Sequence, residues 1–207
     1  AAQGDAAAQF NIGNMFDFGK GVAEDNAQAV YWYNKSAEQG NSNAQYALGW
    51  MYENGEGVVK DLNLAFRWYK RAAERDNPAA QTNLGWMYEN GKGVVKDNVQ
   101  SVYWYRQAAE LGQAEGQLNL GIMYKKGKGV DENYDEAVFW FEKAAAQGHV
   151  NAQLNLGVIY KNGEGVAPDY EKAVYWLEKA VFQGHSAAMT NLGWMYENGK
   201  GVAQDYK

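Results

Sequence analysis

Ala80-Gln81-Thr82-Asn83-Leu84-Gly85-Trp86-Met87-Tyr88-Glu89-Asn90-Gly91-Lys92-Gly93-Val94 is the stretch from which the fold can be read, because its pattern returns along the whole chain. Gly85 stands in a series with Gly13, Gly49, Gly121, Gly157 and Gly193, each 36 residues from the next with no insertion. Leucine or isoleucine precedes each of these glycines, and Phe16, Tyr52, Tyr88, Tyr124, Tyr160 or Tyr196 follows three positions later. A second series, Trp32, Trp68, Trp104, Trp140 and Trp176, keeps the same period. A fixed period of roughly 20–50 residues marks a repeat array, in which each unit buries its apolar face by stacking on its neighbours.

Each unit reads as two helices. The first, such as 43–54, ends at a pair of glycines (Gly55 and Gly57), the first of which suits a left-handed C-terminal residue. The second begins after Asp25, Asp61, Asp97, Asn133, Asp169 or Asp205, whose side chains can cap free backbone N–H groups. Its apolar face follows the helical period, as in Ala29, Trp32, Tyr33, Ser36 and Ala37. Gly40, Gly112, Gly148 and Gly184 close it, with Asp76 in place of glycine once. The mid-helix glycines predict a close crossing against Ala29, Ala65, Ser101, Ala137 and Ala173, and the tryptophans are expected to fill the space between repeats. The reading is all-α: one solenoid of antiparallel helix pairs over 1–207, with repeats at about 5–40, 41–76, 77–112, 113–148 and 149–184 and a partial sixth at 185–207. A sixth first helix without a partner predicts a piece of a longer solenoid, or self-association through the incomplete repeat carrying Leu192, Trp194 and Tyr196.

Composition narrows the function classes. The net charge of −6 offers no clustered basic surface for nucleic acid or anionic lipid. With no cysteine there is no disulfide framework, thiolate metal site or cysteine nucleophile, while the compartment stays open. No apolar run approaches the ~18–20 residues that span a bilayer, so no membrane insertion is expected.

The unit at 80–94, continued by Asp97, Ser101, Trp104-Tyr105 and Ala108-Ala109, resembles a Sel-1-like repeat, and the resemblance covers essentially the whole chain. The two-glycine turn followed by valine and aspartate separates it from the related tetratricopeptide repeat. The resemblance implies a right-handed superhelix that serves as an adaptor in protein complexes, in settings such as membrane-protein quality control, bacterial envelope and motility assemblies, and host–microbe contacts. It implies a bacterial periplasmic or secreted setting before others. Cysteine-rich members that bind or hydrolyse β-lactams staple each pair with a disulfide, and this chain lacks every such cysteine.

No motif in the sequence carries chemistry of its own. Gly91-Lys92-Gly93 and its equivalents follow helices rather than strands, so no phosphate-binding fingerprint is complete. His149 and His185 fall at equivalent positions one repeat apart, and two imidazoles make a poor metal site beside the plainer reading of solvated residues near a helix start. Glu53 and Glu89 recur on first helices as the one carboxylate pair worth weighing, yet solvated charges are far commoner than catalytic ones. The expectation is a non-enzymatic protein with no cofactor and no metal.

On a helical wheel the residue after each mid-helix glycine points away from the framework, and it varies: Asn14, Trp50, Trp86, Ile122, Val158, Trp194. Neighbours on that side lie three residues before the glycine and four after it. The candidate ligand groove, on the concave side where first helices of such repeats usually lie, is Asn14, Asn43, Tyr46, Trp50, Glu53, Thr82, Trp86, Glu89, Leu118, Ile122, Lys125, Val158 and Lys161. Trp50 and Trp86 would anchor a protein or peptide segment. Glu53 and Glu89 would favour basic groups, and Lys125, Lys126 and Lys161 acidic ones. Against this stands the possibility that the column is merely core between repeats. The alternatives in function are an envelope-glycan binding module using the same aromatic faces and, further off, a β-lactam or cell-wall hydrolase. If the tryptophans do fill the space between repeats, Trp104→Ala should cost about 3–5 kcal/mol in a thermal or denaturant melt.

Overall fold

The computed structural model describes residues 4–202. Among these, eleven helices and no strand are found, arranged as hairpins. The chain divides into two compact units between Leu111 and Gly112. The first holds α1 (Ala6–Asp17), α2 (Asn26–Glu38), α3 (Ser42–Asn54), α4 (Leu62–Ala73), α5 (Pro78–Asn90) and α6 (Asn98–Glu110). The second holds α7 (Ala114–Lys126), α8 (Tyr134–Ala146), α9 (Val150–Asn162), α10 (Tyr170–Phe182) and α11 (Ser186–Glu197). Within each unit, helices pack as pairs and each pair's second helix packs on the next pair's first.

The helix ends follow from local chemistry. Asp25, Asp61, Asp97, Asn133 and Asp169 each cap a second helix through the side chain; Asp205 lies outside the described residues. The N–H of each of these five residues also bonds back to the first helix, as Asp61 N does to the Tyr52 carbonyl at 2.9 Å, which closes the hairpin. First helices start one residue earlier than expected, at Ser42 rather than Asn43, because Asn41 is the cap. Asp76 adopts φ 55°, the left-handed conformation that glycine takes at the equivalent ends. The second turn glycine serves packing as well as conformation: a Cβ on Gly57 or Gly93 would collide with the Asn26 or Leu62 backbone of the preceding repeat.

The mid-helix glycines seat something other than the small residues expected. A Cβ on Gly13 or Gly49 would lie 2.5 Å from the ring of Tyr33 or Tyr69, and one on Gly121 or Gly157 would lie 2.7 Å from Phe141 or Leu177. The glycine is therefore a socket for the residue that follows the second-helix tryptophan. Ala29, Ala65, Ser101, Ala137 and Ala173 are fully buried beside it, but a close approach to their own backbone is found at the Ala137 and Ala173 carbonyls. The tryptophans fill gaps between repeats to different degrees. Trp104 is 9% exposed within a cluster that includes Ala65 and Tyr69 of the previous repeat and Leu84 of its own, and Trp68 packs on the cluster around Leu48. Trp32, Trp140 and Trp176 are half-buried.

Polar bonds tie the end of each pair to the next. Gln45, Gln81 and Gln153, all buried, donate from Nε2 to the carbonyls of Ala37, Ala73 and Ala145 near the ends of preceding second helices. Gln39 and Gln183 then donate to Gln9 Oε1 and Gln153 Oε1 of their own repeats at 2.7 and 2.8 Å. Gln183 Nε2 also reaches back to the Gly148 carbonyl, as Arg75 Nε does to that of Gly40.

The socket predicts opposite outcomes for one substitution at two equivalent positions. Gly49→Ala, which drives a methyl group into the Tyr69 ring, should destabilise by about 1–3 kcal/mol. At Gly193 nothing lies within 4 Å of the added Cβ, so Gly193→Ala should be neutral or stabilise by up to about 1 kcal/mol through helix propensity. Paired thermal melts check both.

Candidate functional site

In the first unit the candidate groove residues stand on the same tyrosines that fill the glycine sockets. Tyr33 reaches past Gly13, and its hydroxyl lies 2.8 Å from both Asn14 Oδ1 and Asp17 Oδ2, so one proton serves two acceptors. Tyr69 donates to Glu53 Oε2 at 2.7 Å and Tyr105 to Glu89 Oε2 at 3.2 Å. Glu53 and Glu89, weighed above as a carboxylate pair, thus each hold a core hydroxyl of their own repeat. The second unit departs in concert: Phe141 and Leu177 bring no hydroxyl, and the partner positions are Lys125 and Lys161.

Burial sorts the remaining candidates. Trp50 and Trp86 are 39% and 40% exposed, far more open than the framework leucines beside them, which are fully buried. Tyr46 is half-buried, its ring 5.7 Å from that of Tyr69. Asn43 is exposed and accepts from Asn77 Nδ2 at 3.0 Å. Thr82 and Leu118 are 6% and 4% exposed, and Thr82 Oγ1 bonds back to the Pro78 carbonyl, so these two offer no contact surface and are core. A wheel of one isolated helix cannot register the neighbouring helix that covers them.

Asn14, Asn43, Tyr46 and Trp50 come together around a cleft of about 410 Å³, with Phe10, Asp17, Phe18 and Glu56. Phe18 and Glu56 escaped the sequence reading. A signal existed for Phe18, because the equivalent residue is Asn54, Asn90, Lys126, Asn162 or Asn198.

In the second unit Ile122 and Val158 are half-buried. Lys125 Nζ lies 2.6 Å from Glu164 Oε2, and Lys161 Nζ donates to Asn191 Oδ1 at 2.6 Å and stands 5.1 Å from the centre of the Trp194 ring. Burial alone would raise the Glu164 carboxyl. Hydrogen bonds from Lys125 and Asn162, with the charges of Lys125 and Lys161, outweigh it and hold the group below the usual carboxylate range. Both lysines are thus engaged within the chain, and the expected attraction for acidic groups is correspondingly weakened.

Both histidines stand at the start of first helices, where His185 Nδ1 accepts from the Ala188 N–H at 3.4 Å and His149 makes no such bond. His149 Nε2 lies 2.8 Å from Glu115 and His185 Nε2 3.2 Å from Asn151, each reaching to the preceding repeat. Among the described residues no group of three or more potential metal ligands gathers, and no helix is long and apolar enough to cross a membrane.

Successive helix hairpins, each closed by a side chain seated on a glycine and carrying half-buried or exposed residues on its first helix, define an α-helical repeat protein. The chain belongs to the Sel1 repeat family: the Sel1 repeat model matches residues 6–41, 42–77, 78–113, 114–149, 150–185 and 186–207. Members are in general protein-interaction scaffolds without catalysis. Similar solved structures include c5321, a protective antigen of uropathogenic Escherichia coli with an SLR fold, at 42% identity and TM-score 0.96 over 99% of this chain. The chain spans 44% of that structure's length. A Sel1 repeat protein of Oxalobacter formigenes is 38% identical, with TM-score 0.88 over 99% of this chain and 84% of its own. Cysteine rich protein B of Helicobacter pylori is 30% identical, with TM-score 0.51 over 62% of this chain and 92% of its own. No curated protein matches the sequence.

Burial pushes the Tyr33 and Tyr69 phenols far above their ordinary 10.0, and the hydrogen bonds and charges of Asp17 and Glu53 push them the same way. A folded-state pKa raised in this way stabilises fully below the unfolded value and is lost as pH rises past it. Melting temperature should therefore fall above about pH 10, and less steeply in Tyr69→Phe. At neutral pH the same variant should cost about 1–2 kcal/mol for the bond lost to Glu53. Melts between neutral and alkaline pH check both.

Proposed function

We propose that the protein is a non-enzymatic scaffold whose first-helix face binds a protein or peptide segment, with Trp50 and Trp86 as anchors. The observation that carries this is their exposure. Two large aromatics one repeat apart stay about two-fifths open to solvent while the framework residues flanking them, Leu48, Met51, Leu84 and Met87, are fully buried. Tryptophan held in place on a rigid element offers large contact area at small entropic cost, which is why it recurs at the centres of interfaces. Helices fix the spacing of the anchors, so the face is suited to an extended or helical segment that crosses two repeats.

The test is affinity capture from native extract with wild-type protein beside Trp50→Ala/Trp86→Ala, after circular dichroism has shown that both fold. Specific proteins retained by the wild type and lost by the variant are the expected result. Retention of the same proteins by both would move binding off this face. Glycan-array binding with no captured protein would favour the carbohydrate reading instead.

A further inference from the structure

The repeat contains its own control for charge. The residue four after the mid-helix glycine and the residue between the next repeat's turn glycines stand 39 positions apart in sequence, as Lys125 and Glu164 do. In the second unit these two form the 2.6 Å ion pair. Glu53 and Lys92 carry the same complementarity in reverse. The pattern breaks at Lys161 and Lys200, both cations, and at Asp17 and Glu56, which are both carboxylates and both line the 410 Å³ cleft.

Among the described residues no lysine or arginine lines that cleft. Lys20 Nζ stands 5.2 Å from the centre of the ring of Phe18, one of the lining residues, and is not itself among the residues found to line the cleft. Phe10, Phe18, Tyr46 and Trp50 contribute the walls, and aromatic faces attract cations through their quadrupoles, arginine above all because its planar head also stacks. On the floor, Asp17 Oδ2 takes the Tyr33 hydroxyl. An ionised carboxylate has about four acceptor sites, so this bond leaves most of the capacity of Asp17 for another donor. Aromatic walls, an acceptor floor and two carboxylates where an equivalent site holds an ion pair call for a cation supplied from outside.

We infer that this cleft is the subsite for a basic side chain of the bound segment, arginine in preference to lysine, whose cation takes the place that Lys125 occupies against Glu164. The inference rests on the proposed scaffold role and specifies the chemistry of the partner beside α1 and α3 of the first unit.

The probe is acetyl-Gly-Arg-Gly-amide, with the same peptide carrying citrulline as the neutral isostere. Binding is followed at low salt through the Trp50 indole N–H resonance of the full chain. The arginine peptide should shift that resonance saturably, with the citrulline peptide about tenfold weaker and binding falling as salt is raised. Glu56→Lys supplies the missing cation internally at a position where Lys20, Lys92, Lys128 and Lys200 stand in other repeats. It should melt no lower than the wild type and lose the peptide about tenfold. Asp17→Asn, which keeps an acceptor for Tyr33, should weaken binding in the same direction. Equal binding of arginine and citrulline, no saturable shift, or indifference to both substitutions would overturn the inference. Capture that depends on Trp50 and Trp86 but not on Glu56 would leave the scaffold reading standing and remove this one.

Discussion

The structure depends on a ring seated against a glycine. One helix pair has too little surface to bury a core, so its two helices must approach closely enough for a large side chain to pass between them. Deleting one side chain, at Gly13, Gly49, Gly85, Gly121 or Gly157, leaves that space, and Tyr33, Tyr69, Tyr105, Phe141 or Leu177 occupies it. A glycine inside a helix costs about 1 kcal/mol relative to alanine, whereas burying a large side chain contributes more, so the exchange favours the socket. The tyrosines then reach through to the far side of the first helix. Their hydroxyls need acceptors there, and Asp17, Glu53 and Glu89 supply them. Core packing and surface charge are in this way one choice: where the seated residue is Phe141 or Leu177, no acceptor is required, and lysine stands in the carboxylate's place.

The unbroken period has a related cause. Contacts between repeats are made at fixed offsets: the Gly57 turn against Asn26, Gln45 on the Ala37 carbonyl, Arg75 on that of Gly40. One inserted residue would shift a whole set of them, because helix ends present carbonyls in definite directions and a buried glutamine without its partner is costly. Where Arg75 replaces the glutamine found at positions 39, 147 and 183, Gln45 Oε1 has no protein partner. The ladder of stacked pairs tolerates such a local loss, since repeat stability is close to a sum over neighbours.

What the sequence revealed was mostly what the backbone demands. Paired turn glycines, aspartate caps and the left-handed Asp76 follow from conformations that few residues can adopt, so their positions identify both helices of every pair. The outward direction of Trp50 and Trp86 could be read because a helical wheel fixes direction. Distance is not in the wheel. Alanine was matched to the glycine socket because it shares the right face, but only a ring reaches far enough to fill it, and Thr82 and Leu118 point outward on their own helices yet lie beneath others. The glutamines were passed over because glutamine is usually solvated; each is buried because the helix end it meets has a free carbonyl to satisfy.

A stack of near-identical units poses a problem of recognition, since a ligand that fits one pair should fit them all. Difference must therefore come from positions that neither the socket nor the turn controls. The residue after the glycine is one such position, running from Asn14 through Trp50 and Trp86 to Ile122 and Val158. The two charged positions 39 residues apart are another, and there the chain closes the pair Lys125–Glu164 on itself while leaving Asp17 and Glu56 alike in sign. An ion pair made within the chain has little left to offer a partner. On the proposed reading, two half-shielded carboxylates beside aromatic walls would set this repeat apart from the others, because a cation offered by a partner finds there two acceptors that no residue of the chain has paired in the way Lys125 pairs Glu164.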